Sequence, residues 1–497
     1  MHKIITNPLY CFPQNTHLSV DLMTKSNMNV VIVGGGVSGM YAAYKLAQKN
    51  YHTKITILEK LPRLGGRILT EVHDNHIMEY GPMRFEPELQ PNFAKLLNEL
   101  DISSKVFPPY TCPSNPPDFN KINFEEIQAI KTYSNLPPAF AILKFALKRV
   151  LDEQWNVDHD NIHSPGRDKR KTWLKKYGTF QGRHLNQHGL WDTLAHVLSK
   201  EALDYLQHKG TFYHMLWLNP NAADQICFML DILATANLNL ITVDGGSYNL
   251  INVLLRKYHG NPNINIQLET CVYGIEELNN QAVVSTSNGE LICDHVIFTC
   301  QKNAYASIRG FSTNIRELLD NSVMIVELFK IFIVIEDPPF DECTIPNPNY
   351  NADKVPCREI HYGYDTKTKT GMIMIYGDMP CLNYWSPFIK SQSPFPDGNN
   401  NQHLLNHLNH YLRIIFADVL KVPFAIKHFA ILDWSKEPYK TGVHLWRPGY
   451  ISHDVIDTLR SFGSHNQFHI CGETFSDYQG FIEGCLRTVD GVIECIT

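Results

Sequence analysis

One stretch limits the fold more than any other: NVVIVGGGVSGMYAAYKLAQKN, residues 29–50. An apolar run leads into Gly34, Gly36 and Gly39, spaced G-x-G-x-x-G, and then into a helical pattern. This order predicts a buried strand, a glycine turn and a helix. The first glycine makes the turn, the second lets backbone approach a pyrophosphate, and the third lets helix pack on strand. The helix start then faces the phosphates. A second strand, KITILEK, ends at Glu59, 20 residues beyond Gly39, where a carboxylate can accept ribose hydroxyls. The expectation is an α/β chain opening on the βαβ unit of a doubly wound, Rossmann-like sheet that binds a dinucleotide. Gly34, Gly36, Ser38, Gly39 and Glu59 are its candidate contacts.

The 497 residues exceed one ordinary domain. Residues 107–120 are proline-rich and read as irregular chain. Residues 125–235 read as helical, with 189–207 as one amphipathic segment. The basic run RDKRKTWLKK, 167–176, reads as a solvated face. Strand patterns return in INIQLETCVYGIEEL, in two strands about the turn signal Asn288-Gly289, in VELFKIFIVIED and in GMIMIYGD. NQHLLNHLNHYLRIIFADVL reads as an amphipathic helix, and GFIEGCLRTVDGVIECI as a glycine turn followed by a helix. The domain expectation is an N-terminal extension, 1–27, and a discontinuous nucleotide-binding domain, 28–75, 236–322 and 440–497. A β-rich substrate domain, 76–124 and 323–439, and a helical insertion, 125–235, complete it.

The net charge of −6 gives no footing for nucleic acid or anionic membranes, which need a basic field. No uncharged apolar run approaches membrane-spanning length, since Glu327 and Lys330 cut the longest candidate. Residues 1–27 lack the apolar core of a secretory signal. The twelve cysteines include no CxxC pair, so no metal site is signalled and a reducing compartment is favoured. A cytoplasmic protein is expected, and a homodimer is left open.

After Glu59 the sequence runs EKLPRLGGRILTE. This resembles the second signature of the FAD-dependent amine oxidases, E-x(3)-R-x-GGR-x(2)-T, with Arg63, Gly65, Gly66 and Arg67 in the matching places. VDGGSYNLINVLL, ETCVYGIE and ICGETFSDYQGFIEGCL are similar to further segments of that family. The resemblance implies FAD. It implies Lys60, Arg63, Gly66, Arg67, Met83 and Arg84 around the pyrophosphate and flavin, and Val272 at the adenine. It also implies Glu473 near the ribityl chain and Gly480, Phe481 and Ile482 near the isoalloxazine. Phe481 stands where the family has tryptophan. A helix starting near 481–483 would aim its positive end at charge on the reduced flavin. YKTGVHLWRPGY has no cysteine where some relatives attach FAD, so non-covalent FAD is expected.

EYGPMRF resembles the segment by which L-amino acid oxidases fork an arginine onto the substrate carboxylate, which implies that role for Arg84. A salt bridge to a protein carboxylate, or a contact to FAD phosphate, is the alternative. Residues 177–203 are similar to the helical stretch of bacterial L-amino acid oxidases. LFKIF and MIYGDMPCLNYW are similar to the violacein-pathway tryptophan oxidase. This implies Lys330 as the lysine holding a catalytic water and Tyr376 as a second carboxylate ligand. Lysine within an apolar strand is itself notable, since a buried ammonium must be paired or hydrated. Trp446 and Phe481 are candidate aromatic walls, Tyr384, Trp385 and Trp446 hint at a large apolar substrate, and His444 leans to a structural role. The implied reaction is oxidative deamination of an L-α-amino acid by dioxygen, giving 2-oxo acid, ammonia and peroxide. An amine or polyamine oxidase, a tryptophan 2-monooxygenase-like enzyme and a non-catalytic flavoprotein are the alternatives.

Overall fold

The computed structural model describes residues 28–50, 52–107, 117–209, 218–235, 239–389, 393–398, 400–417 and 425–496. The N-terminal extension therefore lies outside the described residues, as do Cys11 and Cys112. The strand Asn29–Val33 lies at the centre of a five-stranded parallel sheet. Lys54–Leu58 and Ile264–Gln267 follow on one side, His295–Phe298 and Phe468–Ile470 on the other. Both faces of Asn29–Val33 are covered, which explains why it reads as an unbroken apolar run. The helix Val37–Lys49 packs between this sheet and the C-terminal helix Ile482–Ile496, and Ile32, Met40, Leu486 and Val489 share one core. INIQLETCVYGIEEL is two strands. Ile264–Gln267 joins the parallel sheet, while Val272–Leu278 starts an antiparallel meander with Gln281–Thr286 and Gly289–Cys293. The turn at Asn288-Gly289 is where the sequence signals it, with Gly289 at φ +113°.

A second sheet carries Glu359–Asp365, Thr370–Gly377, Phe329–Glu336, Ala425–Asp433 and the short Asp397–Gly398, in that order. Alternation splits Phe329–Glu336 between two cores. Phe329, Ile331, Ile333 and Ile335 meet Leu404, Leu408 and Leu412 of the helix Gln402–Ile415. Phe332 faces the core shared with the helical region. Lys330 shares the parity of Phe332, and the paired register sets Glu359, Tyr376, Lys330 and Leu432 in one row across four strands.

The helical region corrects two expectations. Residues 189–207 form two helices, Leu190–Ala195 and Lys200–Lys209, because Ser199 restarts the helix: its hydroxyl accepts the Ala202 N–H at 3.2 Å. The basic run forms Arg167–Tyr177, in which Arg167 and Lys175 are buried while Lys169 and Arg170 are exposed. Arg167 pairs with Asp160 at 2.7 Å and with Asp231, Lys171 with Asp231 at 2.5 Å, and buried Lys175 with Asp224 at 3.0 Å. Periodicity shows where charges fall on a helix, but not which opposing carboxylates cover them. Among the described residues no helix is long and apolar enough to cross a membrane, and no cluster of potential metal ligands occurs.

Candidate active site

A cavity of about 480 Å³ opens at the carboxyl ends of the parallel strands, where doubly wound sheets bind ligands. Val33, Gly34, Gly36, Val37 and Ser38 line it at the first strand and Leu58 and Glu59 at the second. Thr299, Cys300 and Gln301, after His295–Phe298, line it at a third. Gly36 caps the first helix without a side-chain hydrogen bond, so the cap residue itself leaves the helix N-terminus open. Glu59 accepts the Gly35 N–H at 2.7 Å and the Leu61 N–H at 2.8 Å, and burial pushes its pKa up against those bonds. Gly65 and Gly66 take φ +98° and +57°, and the Gly65 N–H donates to Gly35 O at 2.8 Å. Two glycine loops thus lie backbone to backbone at the cavity wall. Val272 lines the cavity at Thr270–Tyr273, beside exposed Lys60.

At the far side Glu473 ties three segments together. Its Oε1 accepts the backbone N–H groups of His444 at 3.0 Å and Gly480 at 2.9 Å. Its Oε2 contacts His444 Nδ1 at 2.7 Å and Arg67 Nη1 at 2.5 Å. Arg67, Glu473, Gly480, Phe481 and Ile482 all line the cavity, and the last helix begins at Ile482, the start read from the sequence. His444 is fully buried, and burial lowers its pKa despite Glu473. It orients Glu473 and does not line the cavity.

The second sheet and the chain before it close the remaining end with Tyr80, Gly81, Pro82, Leu328, Lys330, Tyr376, Trp434 and Tyr439. Lys330 Nζ donates to Glu79 O at 2.8 Å and Gly81 O at 2.7 Å and lies 5.0 Å from the centre of the Tyr376 ring. Burial depresses its pKa to about 7, against the pull of Glu79, while burial raises Glu79 toward the same range. Phe481 packs on Phe228 and Tyr478, with ring centres at 5.7 and 5.1 Å.

Five expected contacts stand elsewhere. Arg84 is forked onto Glu359, Nη1 to Oε2 at 2.9 Å and Nη2 to Oε1 at 2.8 Å, and does not line this cavity. Its carboxylate partner is a protein side chain, brought there by the strand Glu359–Asp365. Met83 packs into the helical-region core. Trp446 is core as well: its strand, Val443–Trp446, pairs with Val323–Val326, and its indole N–H donates to Ser476 O at 2.9 Å. Arg63 braces the glycine loop through Leu64 O, Gly66 O and Ile68 O and contacts the Tyr439 hydroxyl at 2.6 Å, so its charge is spent within the protein. Gly39 serves packing, since a Cβ there would fall 2.0 Å from Gly34 O. Tyr384 and Trp385 pack away from the cavity against Tyr411 and Phe388.

Sequence reasoning missed Trp434 and Tyr439, whose rings meet at 4.7 Å, and the lining strand end Thr299–Gln301. The signal was present in DWSKEPYKTG, which overlaps the start of the segment read for covalent attachment. FAD fits what stands here. Beside Gly36 a Cβ would meet nothing nearer than Gly66 Cα at 3.9 Å, leaving room for a pyrophosphate between the loops. Glu59 lies at one side for a ribose, and Arg67 and the start of the last helix lie at the other.

Comparison with known proteins agrees. A protein of Acanthamoeba polyphaga mimivirus is 21% identical over 490 residues, covering 94% of this chain and 93% of that one. An L-amino-acid oxidase of Naja atra is 41% identical over 63 residues, 12% of each chain. The solved structure of a putrescine oxidase bound to putrescine matches with a TM-score of 0.63 at 15% identity, covering 94% of this chain and 99% of that one, a likeness of fold. The family model for flavin containing amine oxidoreductases matches residues 37–488, nearly the whole described chain from the glycine turn to the last helix, and the chain belongs to that family.

Proposed function

We propose that this flavoenzyme oxidises a monoamine with an apolar or aromatic body and no α-carboxylate, with dioxygen as the final acceptor. The observation that carries this reading is the Arg84–Glu359 fork: the guanidinium best suited to a substrate carboxylate is already matched. Tyr80, Leu328, Tyr376, Trp434 and Phe481 offer aromatic and apolar surface around Lys330. Among the described lining residues the acids are Glu59 and Glu473, both engaged by backbone amides, so nothing favours the second ammonium of a diamine.

FAD supplies the hydride acceptor and the later reduction of dioxygen to peroxide. Gly34 to Ser38, Glu59, Gly66, Arg67, Val272 and Gly480 to Ile482 would hold it. Non-covalent attachment is supported by Thr441, Gly442 and Val443 at the wall, and by burial that pushes two of the three lining thiols, Cys300 and Cys485, up and keeps them protonated. Lys330, with two N–H groups held by carbonyls and a depressed pKa, would take the proton from the incoming ammonium. The neutral amine then orients its carbon–hydrogen bond against Tyr376 and Phe481, where positioning does most of the work. The imine released is hydrolysed to an aldehyde and ammonia.

A second reading, oxidation of an L-α-amino acid, draws on the Naja atra likeness and on Tyr376 at the cavity, but requires Arg84 to leave Glu359. Peroxide release and anaerobic flavin bleaching with phenethylamine and L-phenylalanine separate the two. The amine is expected to turn over at the higher kcat/KM, and preference for the amino acid would sink the proposal.

A further inference from the structure

The pair that removes Arg84 from the cavity has an address in the second sheet. Glu359 is register-paired with Tyr376, and Tyr376 with Lys330, so the three side chains share one row. The inner two line the cavity. The third, one strand outward, carries a carboxylate that is wholly buried. Both its oxygens are used by the Arg84 fork, and Oε2 also meets His361 Nε2 at 2.8 Å. Burial opposes charge on Glu359, but Arg84 and His361 outweigh it and hold the carboxyl well below its usual range. Phe107 covers the assembly, with its ring 5.6 Å from the Arg84 guanidinium and 5.5 Å from the His361 ring.

A buried ion pair adds little net stability over apolar side chains of the same volume. Stability alone therefore gives no reason for this pair at the edge of a ligand cavity. Chemistry does give one. A substrate carboxylate reaching Arg84 would have to displace Glu359 or lie against it, and two carboxylates in one buried site cannot both stay ionised cheaply.

We infer that Glu359 is a specificity-determining residue: its carboxylate occupies the Arg84 fork from within and bars substrates bearing an α-carboxylate. The inference rests on the amine reading above and names the residue that enforces it. It changes which substrate enters, and no bond-making step is assigned to it.

The test uses FAD-loaded wild type, E359A and E359Q. The probe is 3-phenylpropionate, a carboxylate without an amine, followed by perturbation of the flavin absorbance and by the thermal unfolding midpoint. E359A vacates the fork and is expected to bind the probe roughly tenfold or more tighter than wild type. The ratio of kcat/KM for phenethylamine over L-phenylalanine is expected to fall by a similar factor. If E359A does not retain FAD, E359Q carries the same measurements, since its NH2 replaces one of the two accepting oxygens and cannot accept from the second arm of the guanidinium. A FAD-loaded variant that binds 3-phenylpropionate no better than wild type overturns the inference. So does a wild type that already binds the probe as well as the variant. Wild-type preference for L-phenylalanine over phenethylamine instead counts against the amine reading, independently of what the probe does.

Discussion

Arg67 Nη1 and Glu473 Oε2 meet at 2.5 Å across 406 residues of sequence, joining the second glycine loop to the start of the final segment. Burial opposes the charge on Glu473, but Arg67 and then His444 outweigh it and hold its pKa well below the usual carboxyl value of 4.5. A carboxyl with a depressed folded pKa stabilises the fold above its unfolded pKa and loses that contribution as pH falls through the folded one. Glu473→Gln is expected to lower stability at neutral pH by about 3 kcal/mol, the low end for breaking a buried pair, because Arg67 is partly exposed. The gap from wild type should close as pH drops below about 4.5. Denaturant titrations at several pH values check this, and a gap that widens on acidification would contradict it.

The glycines of the first turn divide into two kinds. A Cβ on Gly39 would lie 2.0 Å from Gly34 O, so Gly39→Ala forces the helix off the strand. The expected loss of stability is about 1–3 kcal/mol with or without FAD. Gly36 has ordinary extended backbone and its Cβ would meet only Gly66 Cα at 3.9 Å. Gly36→Ala should leave apoprotein stability within about 0.5 kcal/mol. It should weaken FAD binding roughly tenfold or more, since the methyl takes pyrophosphate space. Melting of apoprotein and flavin titration distinguish the two outcomes.

How much of this was legible beforehand follows from the range of the interactions. The strand–glycine–helix–strand–acid order is local, so the parallel sheet, the cavity mouth and Gly34, Gly36 and Glu59 could be read from residues a few positions apart. Lys330 in an apolar strand was legible because its burial breaks a pattern. The fate of Arg84 was not, because Glu359 lies 275 residues away and its facing depends on strand register. Trp446 failed for the same reason: a tryptophan before Pro-Gly reads alike whether it meets a ligand or Ser476 O. The basic run was read only in part, because Asp224 and Asp231, which cover its buried cations, lie on another helix.

That run gives a paired prediction. Arg167 is buried between Asp160 and Asp231, whereas Arg170, three residues on, is exposed and donates to Pro165 O at 3.0 Å. Arg167→Ala leaves two carboxylates without their fork and is expected to cost about 3–5 kcal/mol. Arg170→Ala should stay within about 0.5 kcal/mol. Equal effects in chemical unfolding would mean that the run is a solvated face after all.

Lys330 supplies the clearest pH signature. Burial first, with Arg84 adding, depresses its pKa from 10.5 to about 7, while Glu79 opposes the shift and is itself raised by burial. A lysine whose folded pKa is lowered binds fewer protons in the native state, so its contribution to stability grows as pH rises from about 7 toward 10.5. Lys330→Met removes that contribution and leaves the buried Glu79 without its cation. The variant's stability relative to wild type should therefore fall as pH rises. In catalysis the neutral amine is the useful form, so wild-type kcat/KM is expected to climb through about pH 7, followed by a higher limb from the substrate's own ammonium. In Lys330→Met the lower limb should vanish, the substrate limb remain, and the rate drop roughly 10²–10⁴-fold. A variant that keeps the neutral limb would show that another group takes the proton.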